Sequence, residues 1–317
     1  MKESMINVAE CAEKWGISER TVRNYCAHQR IPGAVLKGKT WWIPANSRRP
    51  ERKRKEVPIP ATLLERLRME KQMQLRGGIY YKVQVDLTYN SNHMEGSRLT
   101  HDQTRYIFET NTIGAEKEAL NVDDVVETAN HFRCIDLVIE RAHAPLTESF
   151  IKELHRILKN GTSDSRKSWF AVGDYKKVAN EVGGQETTAP QQVHREMRKL
   201  LEDYRRLEHR NLDTLLNFHV AFERIHPFQD GNGRVGRLIL FKECLRSEIV
   251  PFIIDERHRM FYYRGIKEWP GMPGYLRDTC LLMQDDFKAA LEYFGIDWSA
   301  QREKEQRQTD DNGEKEQ

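Results

Sequence analysis

The chain has 317 residues, 38% of them hydrophobic and 31% charged, with a formal net charge of +3 and a mean hydropathy of -0.74. This is the composition of a water-soluble globular protein with room for one large domain and one small one. It excludes a membrane-spanning chain, because no apolar run approaches bilayer length, and so small a net charge offers no chain-wide argument for nucleic acid. The segment Met1–Asn7 contains an acidic residue and no apolar block, so no secretory signal is expected and cytoplasmic residence is. The five cysteines stand singly without a C-x-x-C pair. That spacing fits neither a disulfide framework nor a zinc site, and the thiols are expected to be reduced.

In chain order, residues 1–47 read as a separate module. Asn7 and Glu10 form a capping box for a short helix, with Val8, Ala12 and Trp15 on one face and Gly16 at its end. Ser18 then caps a second helix running to about His28, with Val22, Tyr25 and Cys26 inward. Two short helices joined by a turn of about three residues make a helix-turn-helix pattern. Ala34-Val35-Leu36 and Thr40-Trp41-Trp42-Ile43, separated by Lys37-Gly38-Lys39, read as a β-hairpin wing. Residues 48–60 are basic and then proline-rich, which marks a linker. From residue 61 the pattern is mainly α, with helices expected around Leu63–Leu67 and along Val122, Val125, Val126, Ala129, Phe132 and Leu137. Others are expected at 148–159, 191 to about 207, 212–224 and 234–245. Residues 301–317 have no large apolar side chain and are expected to be a solvated tail.

The chemistry concentrates in His226-Pro227-Phe228-Gln229-Asp230-Gly231-Asn232-Gly233-Arg234-Val235-Gly236-Arg237. Proline after His226 ends the preceding helix there, and two turn dipeptides lead into a second, strongly apolar helix. A glycine-rich loop feeding a helix N-terminus presents unpaired N–H groups and the positive end of the helix dipole to a phosphate chain. Gly231 and Gly233 allow close approach, while Arg234 and Arg237, three apart in the first turn, carry forked donors for polyphosphate oxygens. Asp230 is a hard oxygen ligand suited to magnesium held jointly with phosphate. His226 is the natural general base, since imidazole titrates near neutrality. Phe228 is expected to point inward and pin the loop.

This run resembles the Fic family signature H-P-F-x-[D/E]-G-N-G-R-x-x-R at every specified position. The resemblance implies an all-helical core with a β-hairpin flap over residues 61–300. It implies transfer of AMP from Mg-ATP to a Ser, Thr or Tyr hydroxyl of a target protein or of the chain itself. On it, His226 is the base, Asp230 holds Mg2+, and Gly231, Asn232, Gly233, Arg234 and Arg237 bind ATP. Relatives with other chemistries often deviate within G-N-G-R, which is intact here, so adenylylation is the expected reaction. Leu154–Leu158 and Gly173-Asp174-Tyr175-Lys176 resemble the lead-in to the flap, with Lys176 where arginine is more usual. The flap itself, expected at 178–188 around Gly183-Gly184, would bind the target's backbone.

Ser91-Asn92-His93-Met94-Glu95-Gly96 fits the family's inhibitory pattern [S/T]-x-x-x-E-[G/N] through Ser91, Glu95 and Gly96. A glutamate delivered into an arginine-rich phosphate site competes for the charge the ATP γ-phosphate would use, and Glu95 is expected to pair with Arg237. In some relatives the same glutamate also supports AMP removal, so a mainly deAMPylating enzyme is an alternative. The segment Val8–Pro44 resembles the winged helix-turn-helix of excisionase and MerR-like regulators. It makes Arg20, Thr21, Arg23, Lys37 and Lys39 candidate DNA contacts, with DNA carried through residues 1–55. Docking of the module, a DNA-binding regulator with a nucleotide-sensing core, and a homodimer all stay open. His155, His219 and His258 have no second ligand at metal spacing and are expected to be structural or surface residues.

Overall fold

The computed structural model describes residues 4–50, 60, 62–114 and 119–298. The basic run at 52–55, most of the expected linker and the expected tail at 301–317 lie outside the described residues. The chain divides into two units, Met1–Pro58 and Ile59–Gln317.

The first unit runs β1 (Met5–Asn7), α1 (Val8–Trp15), α2 (Glu19–Ala27), β2 (Val35–Lys37) and β3 (Thr40–Pro44). Asn7 closes a capping box with Glu10, and Gly16 ends α1 at φ 62°. Ser18 caps α2 by accepting from the Thr21 N–H. The turn between the helices therefore follows from polar caps and one left-handed glycine. β2 and β3 form an antiparallel hairpin, and β1, which the sequence does not announce, adds to the far edge of β3 with Met5 opposite Pro44. Val8, Cys11, Val22, Cys26, Ile31 and Ile43 make the core of this unit. Arg20, Arg23, Lys37 and Lys39 are exposed and Thr21 is half-buried.

The second unit contains helices α3 (Leu63–Met73), α4 (Ile79–Met94), α5 (His101–Thr110), α6 (Val122–Glu140) and α7 (Glu148–Lys159). After α7 comes a short hairpin, β4 (Glu181–Val182) with β5 (Gln185–Glu186). Helices α8 (Pro190–Arg206), α9 (Leu212–Ile225), α10 (Asn232–Ser247), α11 (Arg259–Glu268) and α12 (Pro273–Tyr293) complete it. α9 and α10 pack against each other, and α10 also packs on α4, α6 and α7. Nearly every residue of α10 from Asn232 to Leu245 is buried, including Arg234 and Arg237. A helix buried on every side carries its polar groups only where other buried groups answer them, so α10 delivers its arginines into a built polar site. All five cysteines are free. No helix among the described residues is long and apolar enough to cross a membrane.

Candidate functional site

The Asn211–Thr214 capping box starts α9, whose buried face carries Leu215, Phe218, Phe222 and Ile225. The helix stops at His226, which adopts φ 50°, ψ 62° and sends its N–H back to the Phe222 carbonyl. The following proline allows no further helical bond, so the chain turns and His226 caps the helix in the left-handed region. Phe228 is fully buried and stacks on His155, ring centroids 4.0 Å apart. Asn232 closes the loop from the other side: its Oδ1 accepts from the Phe228 N–H and its Nδ2 donates to the Phe228 carbonyl, both at 2.8 Å. Gly231, at φ 81°, then opens α10 in a conformation that suits glycine. α10 thus begins one short loop after His226, with no side-chain cap on its N-terminus.

His226 is neutral near pH 7. Burial pushes its pKa below the ordinary value, the nearby Lys176 ammonium adds to this, and the Glu223 carbonyl, Glu95 and Asp230 oppose it. The Nδ1 atom lies 3.3 Å from the Glu223 carbonyl oxygen, which can only accept. The proton is therefore on Nδ1, and Nε2 is left with a lone pair. A half-buried imidazole in this tautomer is equipped to take a proton.

Asp230 stands at the other end of the loop. Burial works to raise its pKa, but Arg234 and Lys159 outweigh it and hold the carboxyl ionised well below the carboxylate range. Its Oδ2 accepts from Lys159 Nζ at 2.7 Å and Arg234 Nη2 at 3.1 Å. Both cations also bond Glu127. The sequence treats Arg234 and Arg237 as equivalent phosphate ligands; the structure separates them. Arg234 is turned to Glu127 and Asp230 and braces the loop. Arg237 binds Ser91 twice, through Nε to Oγ and Nη2 to the carbonyl, both at 2.9 Å, and Glu95 Oε1 at 2.7 Å. Its Nη1 has no hydrogen-bond partner among the described residues.

Glu95 follows the last residue of α4, and Gly96 takes φ 95° directly after it. The close fit explains Gly233: a Cβ there would meet Glu95 Oε1 at 2.3 Å and Arg237 Nη1 at 2.9 Å. A second carboxyl, Glu223, is also near Arg237. Burial pushes it up to about 8, with Arg237 opposing and Glu95 adding, so Glu223 is largely protonated at pH 7. The ionic partner of Arg237 is Glu95.

The segment expected to be a flap is the β4–β5 hairpin, with Gly183 at φ 58° and Gly184 at φ 76°. Two left-handed residues in succession make the tight turn that matches strand twist. Its base lies against the loop: Asn180 Nδ2 donates to the Phe228 carbonyl at 3.1 Å and the Val178 N–H to Gln229 Oε1 at 3.3 Å.

Sequence reasoning missed several residues that build this site. His155 does more than fill the core: its Nδ1 accepts from the Gly173 N–H at 2.9 Å, so Nε2 carries the proton to the Asp230 carbonyl at 3.1 Å. His155 and Lys159 are four apart on a helix expected from sequence, and that shared face was the available signal. Glu127 and Asn180 offered none, since their partners lie far along the chain. His219 is buried against the Tyr262 hydroxyl, and His258 bonds Asp255 at 2.6 Å. Tyr262 is itself buried, whereas its neighbour Phe261 is 58% exposed.

Residues 145–243 match the Fic/DOC family. Over 185 residues the chain is 25% identical to "Protein adenylyltransferase Fic" of Nematostella vectensis, covering 57% of this chain and 42% of that protein. Over 189 residues it is 29% identical to the protein of the same name from Drosophila melanogaster, covering 56% of this chain and 36% of the relative. The chain thus spans well under half the length of these relatives. Its fold is similar to a Fic domain containing signaling protein from Bacteroides thetaiotaomicron (TM-score 0.53, 23% identity, 73% of this chain and 90% of that one). It is also similar to Fic-1 (residues 134–508) from C. elegans (TM-score 0.57, 17% identity, 73% and 71%). The helix–loop–helix that carries His226 and Arg237 lies inside the segment that matches this family.

Proposed function

We propose that this protein is an adenylyltransferase that moves AMP from ATP to a hydroxyl side chain of a protein, and that Glu95 restrains it. The observation that carries this reading is the neutral His226, its Nδ1 on the Glu223 carbonyl, held one loop ahead of the uncapped N-terminus of α10 while the base of the β4–β5 hairpin bonds to that loop. The hydroxyl oxygen attacks the α-phosphorus, the bond from that phosphorus to the β-phosphate bridging oxygen breaks, and pyrophosphate leaves. The hydroxyl proton passes to His226 Nε2. The N–H groups opening α10, with Gly231 and Gly233 allowing close approach, stabilise charge on the phosphate oxygens. Arg237 is the cation for the terminal phosphate once Glu95 has moved away.

Asp230 fits a magnesium ion held mainly by phosphate. Its carboxyl is kept ionised and its side chain is 45% exposed, while no cluster of three acidic, histidine or cysteine ligands occurs among the described residues. Magnesium takes one or two protein carboxylates and completes its shell with phosphate and water. When bound it would neutralise charge on the triphosphate; Asp230 would hold it, and Lys159 and Arg234 would orient Asp230.

Incubation with Mg-ATP followed by mass spectrometry tests the reaction, with an added AMP on the protein itself or on lysate proteins as the expected result. The rate should fall by up to about tenfold per unit once pH drops below the His226 pKa, because protonation removes the base. Since that pKa lies below its ordinary value, the fall should begin below about 6.5. No added AMP at any pH would rule the reading out.

We further propose that the first unit binds DNA. Support comes from α1 and α2 joined by a short capped turn, with Arg20 and Arg23 exposed on α2 and Lys37 and Lys39 exposed on the hairpin. Four phosphate contacts imply a loss of affinity on the order of 10²-fold between 50 and 200 mM salt. Filter binding of the full chain at those two concentrations checks it; absent or salt-insensitive binding would assign this surface to protein docking.

A further inference from the structure

We infer that Lys176 is a positioning residue for AMP transfer, its one buried ammonium fixing both legs of the flap hairpin against the turn that presents His226. The inference rests on the proposed reaction for its kinetic consequences and on geometry for its existence. Lys176 is 3% exposed. Its Nζ donates to Asn180 Oδ1 at 2.7 Å, to Thr187 Oγ1 at 2.6 Å and to the Ile225 carbonyl at 3.4 Å. Asn180 and Thr187 flank β4 and β5 and are themselves joined, the Thr187 N–H donating to the Asn180 carbonyl at 3.3 Å. The backbone N–H of Lys176 reaches the Pro227 carbonyl at 2.8 Å. One residue therefore holds the carbonyls on either side of His226 and both ends of the hairpin.

Each of these acceptors is neutral. An ammonium buried among neutral oxygens is costly, and burial pulls its pKa down to about 8. A hydrophobic side chain would fill the same space without that cost. What lysine adds is three donors diverging from one atom, enough to reach three separate segments at once. Its charge also favours the neutral form of His226. Such an arrangement serves placement of the base and flap more than folding.

The test uses the full chain carrying Glu95→Gly, to which Lys176→Met, Lys176→Arg or Thr187→Val is added. Direct titration with Mg-ATP, single-turnover AMP transfer and hydrogen exchange over residues 178–188 are measured on each. Lys176→Met should bind Mg-ATP within about twofold of its parent while transferring AMP up to ~10²-fold more slowly, as a misplaced base does. Exchange in the hairpin should accelerate. Lys176→Arg should recover most of the rate and the protection, and Thr187→Val should lose a smaller part of both. Transfer at the parental rate overturns the inference, as does a loss of rate that tracks an equal loss of Mg-ATP affinity and thermal stability. Should the parent transfer no AMP, the proposed reaction fails and hydrogen exchange alone decides Lys176. Unchanged exchange in Lys176→Met overturns the inference in every case, and if that variant does not fold, Thr187→Val is held to the same criterion.

Discussion

Replacing His226 with alanine is expected to lower AMP transfer by ~10²–10⁴-fold, the range for losing a positioned general base. The imidazole is neutral, half-buried, and fixed by its Nδ1 contact to the Glu223 carbonyl. Among the described residues the nearby carboxyls are otherwise committed: Glu223 is pushed up to about 8 by burial, Glu95 is paired with Arg237, and Asp230 is engaged by Lys159 and Arg234. Histidine already holds φ 50° with a Cβ of its own, so alanine adds no new backbone strain there. ATP affinity should therefore persist, because the N–H groups of α10 and Arg237 do not depend on the imidazole. Single-turnover transfer measured beside direct ATP titration separates the two quantities. A variant that transfers at the wild-type rate removes His226 as base, and one that loses DNA binding as well would point to a regulator whose core senses nucleotide.

The second large effect is a gain. Glu95→Gly is expected to raise auto-adenylylation by ~5–150-fold, which corresponds to a bias of ~1–3 kcal/mol between productive and unproductive ATP poses. The carboxylate lies 2.7 Å from Arg237 Nη2, and its Oε1 would be 2.3 Å from a Cβ on Gly233. It therefore covers the arginine and crowds the first turn of α10 together. With glycine there, Arg237 keeps its two bonds to Ser91, stays oriented, and is open to a terminal phosphate. Labelled ATP measures the change. No gain removes Glu95 as inhibitor, and loss of an AMP-removal activity in the same variant would make removal the main reaction.

Local signals made much of this legible. The helix caps at Asn7 and Ser18, the extent of α7, and the turn at His226-Pro227 follow from side chains bonding to their own backbone neighbours or from a missing N–H. The pairing of Glu95 with Arg237 was expected from a resemblance between motifs, although 142 residues separate them. Helices α4, α5, α11 and α12 carry no apolar pattern that delineates them in the sequence. In α4, burial extends over residues as different as Ile79, Gln84, Thr88 and Asn92, so no single apolar face announces it.

Sequence by itself determined the chemical vocabulary: an imidazole, a carboxylate, two glycines and two arginines within one turn and one helix end, whose order sets their local geometry. Only the tertiary structure decided how those groups divide the work. It turned Arg234 toward Glu127 and Arg237 toward Glu95, pushed the Glu223 carboxyl up by burial, and brought Lys176 close to His226. Those outcomes depend on burial and on charges arriving from distant helices, and a carboxyl or ammonium has no fixed role until its neighbours set its charge and its partners.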